Sequence, residues 1–173
     1  MTAEPSMNGT PVGLHRVART MAPVRLAGQA ASLFEEGFRL ALVAAHDDGD
    51  TLRVVYLFLA GAPDRRVELE VTVPAEDPQL PSLASLSFPA SRFEREMHDL
   101  YGIVPVNHPL PRRLVRHAHW PAGWYPMRHD AGPRPPFIDT EAYPFLAVKG
   151  DGVLEIPVGP VHAGVIEPGH FRL

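Results

Sequence analysis

The chain has 173 residues, 45% of them hydrophobic, and a formal net charge of −4, enough for one domain with a tail and without the basic field that phosphate backbones demand. It contains no cysteine, which excludes disulfides, thiolate zinc sites, and iron–sulfur or nickel centres held by thiolates of its own. No stretch approaches the ~18 apolar residues of a membrane span and the start lacks a secretion-signal pattern, so a cytoplasmic protein is expected, reaching a membrane only through partners.

Residues 1–10 read as a lead without regular structure. From Leu26 to Glu36, LAGQAASLFEE sets Leu26, Ala30, Leu33 and Phe34 at helical spacing and stops at Gly37, which predicts an amphipathic helix. FRLALVAAH and TLRVVYLFLA follow as β-rich runs separated by DDGD, a hairpin turn signal. VELEVTV, Val67 to Val73, alternates strictly and predicts a third antiparallel strand with one solvated face. A short helix is expected over Leu80 to Leu86. Together these elements predict a two-layer α+β domain, an antiparallel β-meander packed by helices.

Ser91 with Glu94 three residues on has the spacing of a capping box, and Phe93, Met97, Leu100 and Tyr101 share one helical face. Arg92 with Glu96, and Arg95 with Asp99, are spaced for i,i+4 pairing, and Gly102 is placed to end the helix in the left-handed conformation. The expectation is a delimited helix, Ser91–Tyr101, with an apolar underside. Between His108 and Pro144, prolines and aromatics alternate with basic residues, which predicts an extended arm over a partner. Gly150-Asp-Gly152 reads as a turn leading into a C-terminal β-hairpin, VLEIPVG with GVIEPGHFRL.

The candidate chemistry is sparse. Glu94, Glu96 and Asp99 could act as paired carboxylates, but arginines on the same helix compensate them, so a structural or interface role is the stronger reading. His117 and His119, with His108 and His129 nearby, form a conceivable metal site, and an independent histidine-dependent metalloenzyme is the reading of another class. Arg112, Arg113 and Arg116 make a basic cluster with no glycine-rich loop to cradle phosphate, better matched to acidic groups on a neighbouring chain. GxSxG, Walker and GxGxxG patterns are absent.

Glu94-Arg95-Glu96, then Asp99-Leu100-Tyr101-Gly102, then His108-Pro109 and Arg112-Arg113-Leu114, closely resemble the signature of the 30-kDa subunit family of respiratory complex I, the C subunit of NADH-quinone oxidoreductase. Pro126, Met127, Arg128, His129 and Asp130 match its continuation, with histidine where lysine is usual. The tail from Gly152 to Leu173 is similar to the start of the large subunit of group 4 nickel-iron hydrogenases of the formate hydrogenlyase type, in which a domain like the 30-kDa subunit precedes the large-subunit domain. The resemblance implies a 30-kDa-subunit-like domain at 11–130, a linker at 131–151 and the beginning of a large-subunit-like domain at 152–173.

For function it implies a non-catalytic structural and assembly subunit of a complex I-like oxidoreductase. A hydrogenase is favoured, and the 30-kDa subunit of an NADH-quinone oxidoreductase is the alternative. No cofactor is expected in this chain; the nickel-iron centre and iron–sulfur clusters would lie in partner subunits or a following C-terminal domain. Partners would be the 49-kDa-like large subunit and iron–sulfur subunits, on the cytoplasmic side of the inner membrane. Interface residues would be Glu94, Arg95, Glu96, Asp99, Gly102, His108, Arg112, Arg113, Arg128 and Asp130. In the tail, His162 matches a cavity-lining turn, and Glu167 a proton relay, although Pro168 is inserted relative to the hydrogenase pattern.

Overall fold

The computed structural model describes residues 9–62, 64–138 and 149–153, and the backbone of Val158–Val161 and Gly169–Phe171. The alternating central runs form the heart of one sheet. Strand β3, Arg39–Asp47, turns at Asp48–Asp50 into β4, Thr51–Ala60, and β4 pairs antiparallel with β5, Arg65–Pro74. In β4 every second residue from Leu52 to Ala60 is buried, and β5 buries Val67, Leu69, Val71 and Val73. Period-2 burial puts these side chains on one face, which the helices cover.

Two further strands complete the sheet. β1, Thr10–Gly13, pairs antiparallel with β2, Arg16–Met21, and β2 lies parallel to β5, giving the order β1-β2-β5-β4-β3. These two strands carry no sequence signal, because β2 buries only Val17. Parallel pairing of β2 with β5 requires a crossover, and helix α1, Leu26–Glu35, occupies it. Leu26, Ala30 and Leu33 of α1 are buried in the core, and Phe34 meets Phe58 edge-on at 5.4 Å.

The expected helix over Leu80–Leu86 does not form. Gln79–Pro81 is a short strand, β6, parallel to β7, Val104–Val106, and Leu80 and Leu83 are buried beneath it. Pro78 and Pro81 make this segment a poor helix. Helix α2 runs Phe88–Tyr101, three residues earlier than the capping-box reading. Its N-cap is Ser87, and Pro89 sits in its first turn, where the missing N–H is harmless. Gly102 caps the C-terminus at φ 77°, as its position predicted. α2 packs on β3.

The backbone divides into two compact units, residues 1–142 and 143–173. In the second, Val153 N donates to Gly150 O at 3.2 Å with Gly152 at φ 80°, forming the expected turn. Val158–Val161 (β8) and Gly169–Phe171 (β9) pair antiparallel, as a C-terminal hairpin requires. His162 and Glu167 lie outside the described residues.

Candidate functional site

Helix α2 is buried on two sides. Met97 is buried, with Phe93 and Tyr101 packed on the sheet core, the apolar face that the spacing predicted. The second side is polar, and hydrophobic periodicity is blind to it: Ser91, Glu94, Arg95 and Asp99 are all buried, with Asp99 0% exposed. Glu96 alone of the three acidic residues is exposed.

The polar side holds the arm. One oxygen of Asp99, Oδ2, accepts the backbone N–H groups of Leu114, Val115 and Arg116 at 2.8, 2.8 and 3.0 Å. Arg95 donates through Nε to the Arg112 carbonyl at 2.7 Å and through Nη2 to the Arg113 carbonyl at 2.8 Å. Acceptor and donor one helical turn apart thus grip consecutive peptide groups of the same arm. Each charge-assisted bond of this kind contributes about 1.5–3 kcal/mol, well above a surface i,i+4 pair.

Glu94 does not cap its own helix. Its carboxyl accepts from Ser82 Oγ and Leu83 N, both at 2.6 Å, tying the turn after β6 to α2. Burial raises its pKa above the usual range, against the pull of those two hydrogen bonds. Tyr56, whose hydroxyl is buried, has its pKa raised by burial and then by the nearby Glu94 charge. His108 lies 3.9 Å from Glu94. Its Nδ1 accepts the Leu110 N–H at 2.9 Å, which assigns the proton to Nε2, 3.2 Å from the Ser91 carbonyl.

The arm also braces itself. Arg113 Nη1 donates to the carbonyls of His117, Ala118 and Trp120 at 2.9–3.1 Å. Buried Arg116 donates to the Trp124 carbonyl and lies 5.3 Å from the Tyr125 ring centre. Arg128 holds Asp130 through two bonds and reaches the Ala75 carbonyl at 2.9 Å. The backbone N–H of His129 donates to Asp47 at the end of β3, at 2.7 Å, and this bond is the chief reason the Asp47 pKa is lowered. Tyr125 lies over Gly102: a Cβ there would come within 2.6 Å of its ring.

Several of the predicted residues make their contacts within the chain. All of Glu94, Arg95, Asp99 and His108 are interior to the chain: Arg95 and Asp99 hold the arm from behind, His108 bonds backbone at its start, and Glu94 ties the turn after β6 to α2. Of the basic cluster Arg112, Arg113 and Arg116, Arg113 donates to arm carbonyls, Arg116 is buried and Arg112 is exposed. Sequence patterns do not single out Ser82, Trp124 or Tyr125, and only the arginine-plus-aromatic density of the arm signals the last two. Among the histidines, His117 stacks on His119 at 5.7 Å, His129 lies beside Asp47 and His108 bonds backbone. Among the described residues no three His, Asp or Glu side chains gather as metal ligands, so the metalloenzyme reading gains no ligand set there.

Residues 20–136, from β2 through the arm, match the family described as respiratory-chain NADH dehydrogenase, 30 Kd subunit. The chain belongs to this family. It is 40% identical over 121 residues to hydrogenase-4 component G of Escherichia coli (strain K12), covering 68% of this chain and 22% of that one. With formate hydrogenlyase subunit 5 of the same organism it shares 41% over 112 residues, 62% of this chain and 20% of that one. The C subunit of NADH-quinone oxidoreductase from Mycolicibacterium paratuberculosis (strain ATCC BAA-968 / K-10) is 36% identical over 107 residues, 57% of this chain and 46% of that one. The chain thus matches about a fifth of the two hydrogenase relatives and under half of the NADH-quinone oxidoreductase relative.

Among solved structures, the trypsin-resistant fragment of Nqo5 shares 31% identity at a TM-score of 0.50, covering 57% of this chain and 84% of that one. A chain of the membrane-bound sulfane sulfur reductase, an archaeal respiratory membrane complex, shares the fold at a TM-score of 0.61 and 16% identity, covering 70% of this chain and 75% of that one. Helix α2 and residues 107–136 of the arm lie inside the matched family region.

Proposed function

We propose that the chain is a structural and assembly component of a complex I-like oxidoreductase of the group 4 nickel-iron hydrogenase, formate hydrogenlyase type. It would position redox partners and carry out no redox step itself. The observation that supports this best is the use of the ionic groups: Arg95, Asp99, Arg113 and Arg116 hold the arm's backbone, which leaves them committed to shape rather than to acid–base work.

What the arm presents outward suits a partner. Of its five arginines from Asn107 to Ile138, Arg112 and Arg134 are exposed, in a chain of net charge −4. Such a local basic surface fits an acidic face of the large, 49-kDa-like subunit or of an iron–sulfur subunit. Nickel-iron and iron–sulfur centres held by thiolates would belong to those partners, since the given sequence has no cysteine. Among the described residues no helix is long and apolar enough to cross a membrane, so attachment at the cytoplasmic face of the inner membrane would come through partners. In the tail, His162 and Glu167 would take the cavity-lining and proton-relay positions that the hydrogenase resemblance implies.

The 30-kDa subunit of an NADH-quinone oxidoreductase is the second reading, supported by the 36% identity to such a protein. Purification of the tagged full chain from its native host separates the two: hydrogenase activity with nickel-bearing partners supports the first, and NADH:quinone activity the second. Recovery only as a lone monomer overturns both. Arg112→Glu should reduce recovery of the partners and leave the chain folded by circular dichroism.

A further inference from the structure

The two edges of the main sheet are unlike. At one, β1 is four residues long, contains Pro11 and has an irregular register with β2, features that blunt an edge against pairing. At the other, β3 is nine residues long and has neither charge nor proline from Leu40 to Ala45. Among the described residues no strand pairs with its outer side. A long apolar edge of this kind is a template for another strand.

A groove of about 250 Å³ runs along that edge. Leu42 to Ala45 form one wall, and Phe93, Met97 and Met127 stand on the other with Glu96. Leu42 and Met127 are 45% and 52% exposed at its mouth. The volume is smaller than the roughly 300–1,000 Å³ of small-molecule sites, whereas about 150 Å³ holds a benzene ring. It suits one large apolar side chain projecting from a strand laid against β3. Glu96 is the only charged side chain lining the groove and has no ion-pair partner among the described residues, so the occupant should carry a cation beside its apolar residue.

We infer that this groove receives an extended segment of the large-subunit-type partner, added to β3 as a sixth strand, with an apolar side chain in the groove and a lysine or arginine at Glu96. The inference rests on the proposed function. It draws on the hydrogenase relatives, in which about four-fifths of the polypeptide lies outside the matched region and a strand from the same chain would be held near β3 at high effective concentration.

The test uses the full chain in its affinity-purified native complex. A photo-crosslinking amino acid at Leu42, mapped by mass spectrometry, should join one extended stretch of the large subunit containing lysine or arginine. Amide exchange over residues 40–45 should be at least about tenfold slower in the complex than in the isolated chain. Leu42→Lys and Glu96→Lys should each weaken assembly about tenfold, equivalent to about 1.4 kcal/mol, with the isolated chain's melting temperature unchanged, while Thr20→Lys, at an exposed position of β2, should leave assembly intact. If the chain co-purifies with its partners but residues 40–45 exchange equally in both states, or the crosslink joins a second copy, the inference is overturned and the assembly function stands. If no partner co-purifies, the assembly function fails and the inference fails with it.

Discussion

From Thr10 to Val106 the chain is held by apolar burial, and from Asn107 to Ile138 by arginines and an aspartate. The first region closes on Tyr56, Phe58, Leu69 and their neighbours, all screened from water. The second has seven prolines in 32 residues and no apolar core of that kind. Its backbone groups must still find partners, and buried side chains of α2 and of the arm itself supply them. The contrast teaches that a segment too irregular to form a ladder can still be fixed in shape when a neighbouring helix offers a charged face. The arm's shape is then decided by a few hydrogen bonds, while the core's is decided by many small contacts.

The largest expected effect tests the core. Phe58→Ala should cost about 3–5 kcal/mol by cavity formation and lost burial and unfold sheet and arm together in urea. Asp99→Ala comes next: three N–H groups lose one acceptor, at about 3 kcal/mol. Its signature should be regional, with tryptic cleavage at Arg112, Arg113 and Arg116 while far-ultraviolet circular dichroism keeps the sheet. Loss of the sheet in Asp99→Ala, as complete as in Phe58→Ala, would show that the two regions are not separable.

Gly102→Ala should cost about 1–2 kcal/mol for the left-handed conformation alone, and the new methyl must also displace Tyr125. Faster quenching of Trp124 fluorescence by iodide would report the loosened arm.

The smallest effect is a pair of opposite pH dependences. Burial raises the Glu94 pKa, so its contribution is full below pH 4.5 and is lost as pH rises through the folded value. Asp47, lowered mainly by the His129 N–H bond, contributes above pH 3.8 and loses that contribution as pH falls through its depressed value. Urea midpoints measured against pH should lose their rising-pH decline in Glu94→Gln and part of their acid decline in Asp47→Asn. Unchanged profiles in both variants would mean that other groups set the pH response.

The central hairpin and third strand were legible because alternation survives wherever one sheet face is buried and the other is not. The Gly102 terminus was legible because few residues other than glycine adopt positive φ there. β1 and β2 were not, since a strand burying one side chain has no period to read. The capping-box reading of Ser91 and Glu94 failed for a related reason: local spacing is blind to a distant acceptor or donor, and Glu94 found Ser82 and Leu83 across the fold. The acid–arginine pattern of α2 was visible, but its meaning was not, because i,i+4 spacing looks the same on a solvated helix as on one facing a buried arm.

The sequence by itself determined the α+β class, the helix that ends at Gly102, the lack of thiolate ligands and the family resemblance on residues 91–130, all of which depend on residue type and short spacing. Only the tertiary structure decided that Asp99 and Arg95 grip the arm, that Arg112 faces outward where Arg113 does not, and that no strand among the described residues covers the outer side of β3. Those outcomes depend on which chain segments meet after long loops close, and a linear pattern carries no record of that encounter.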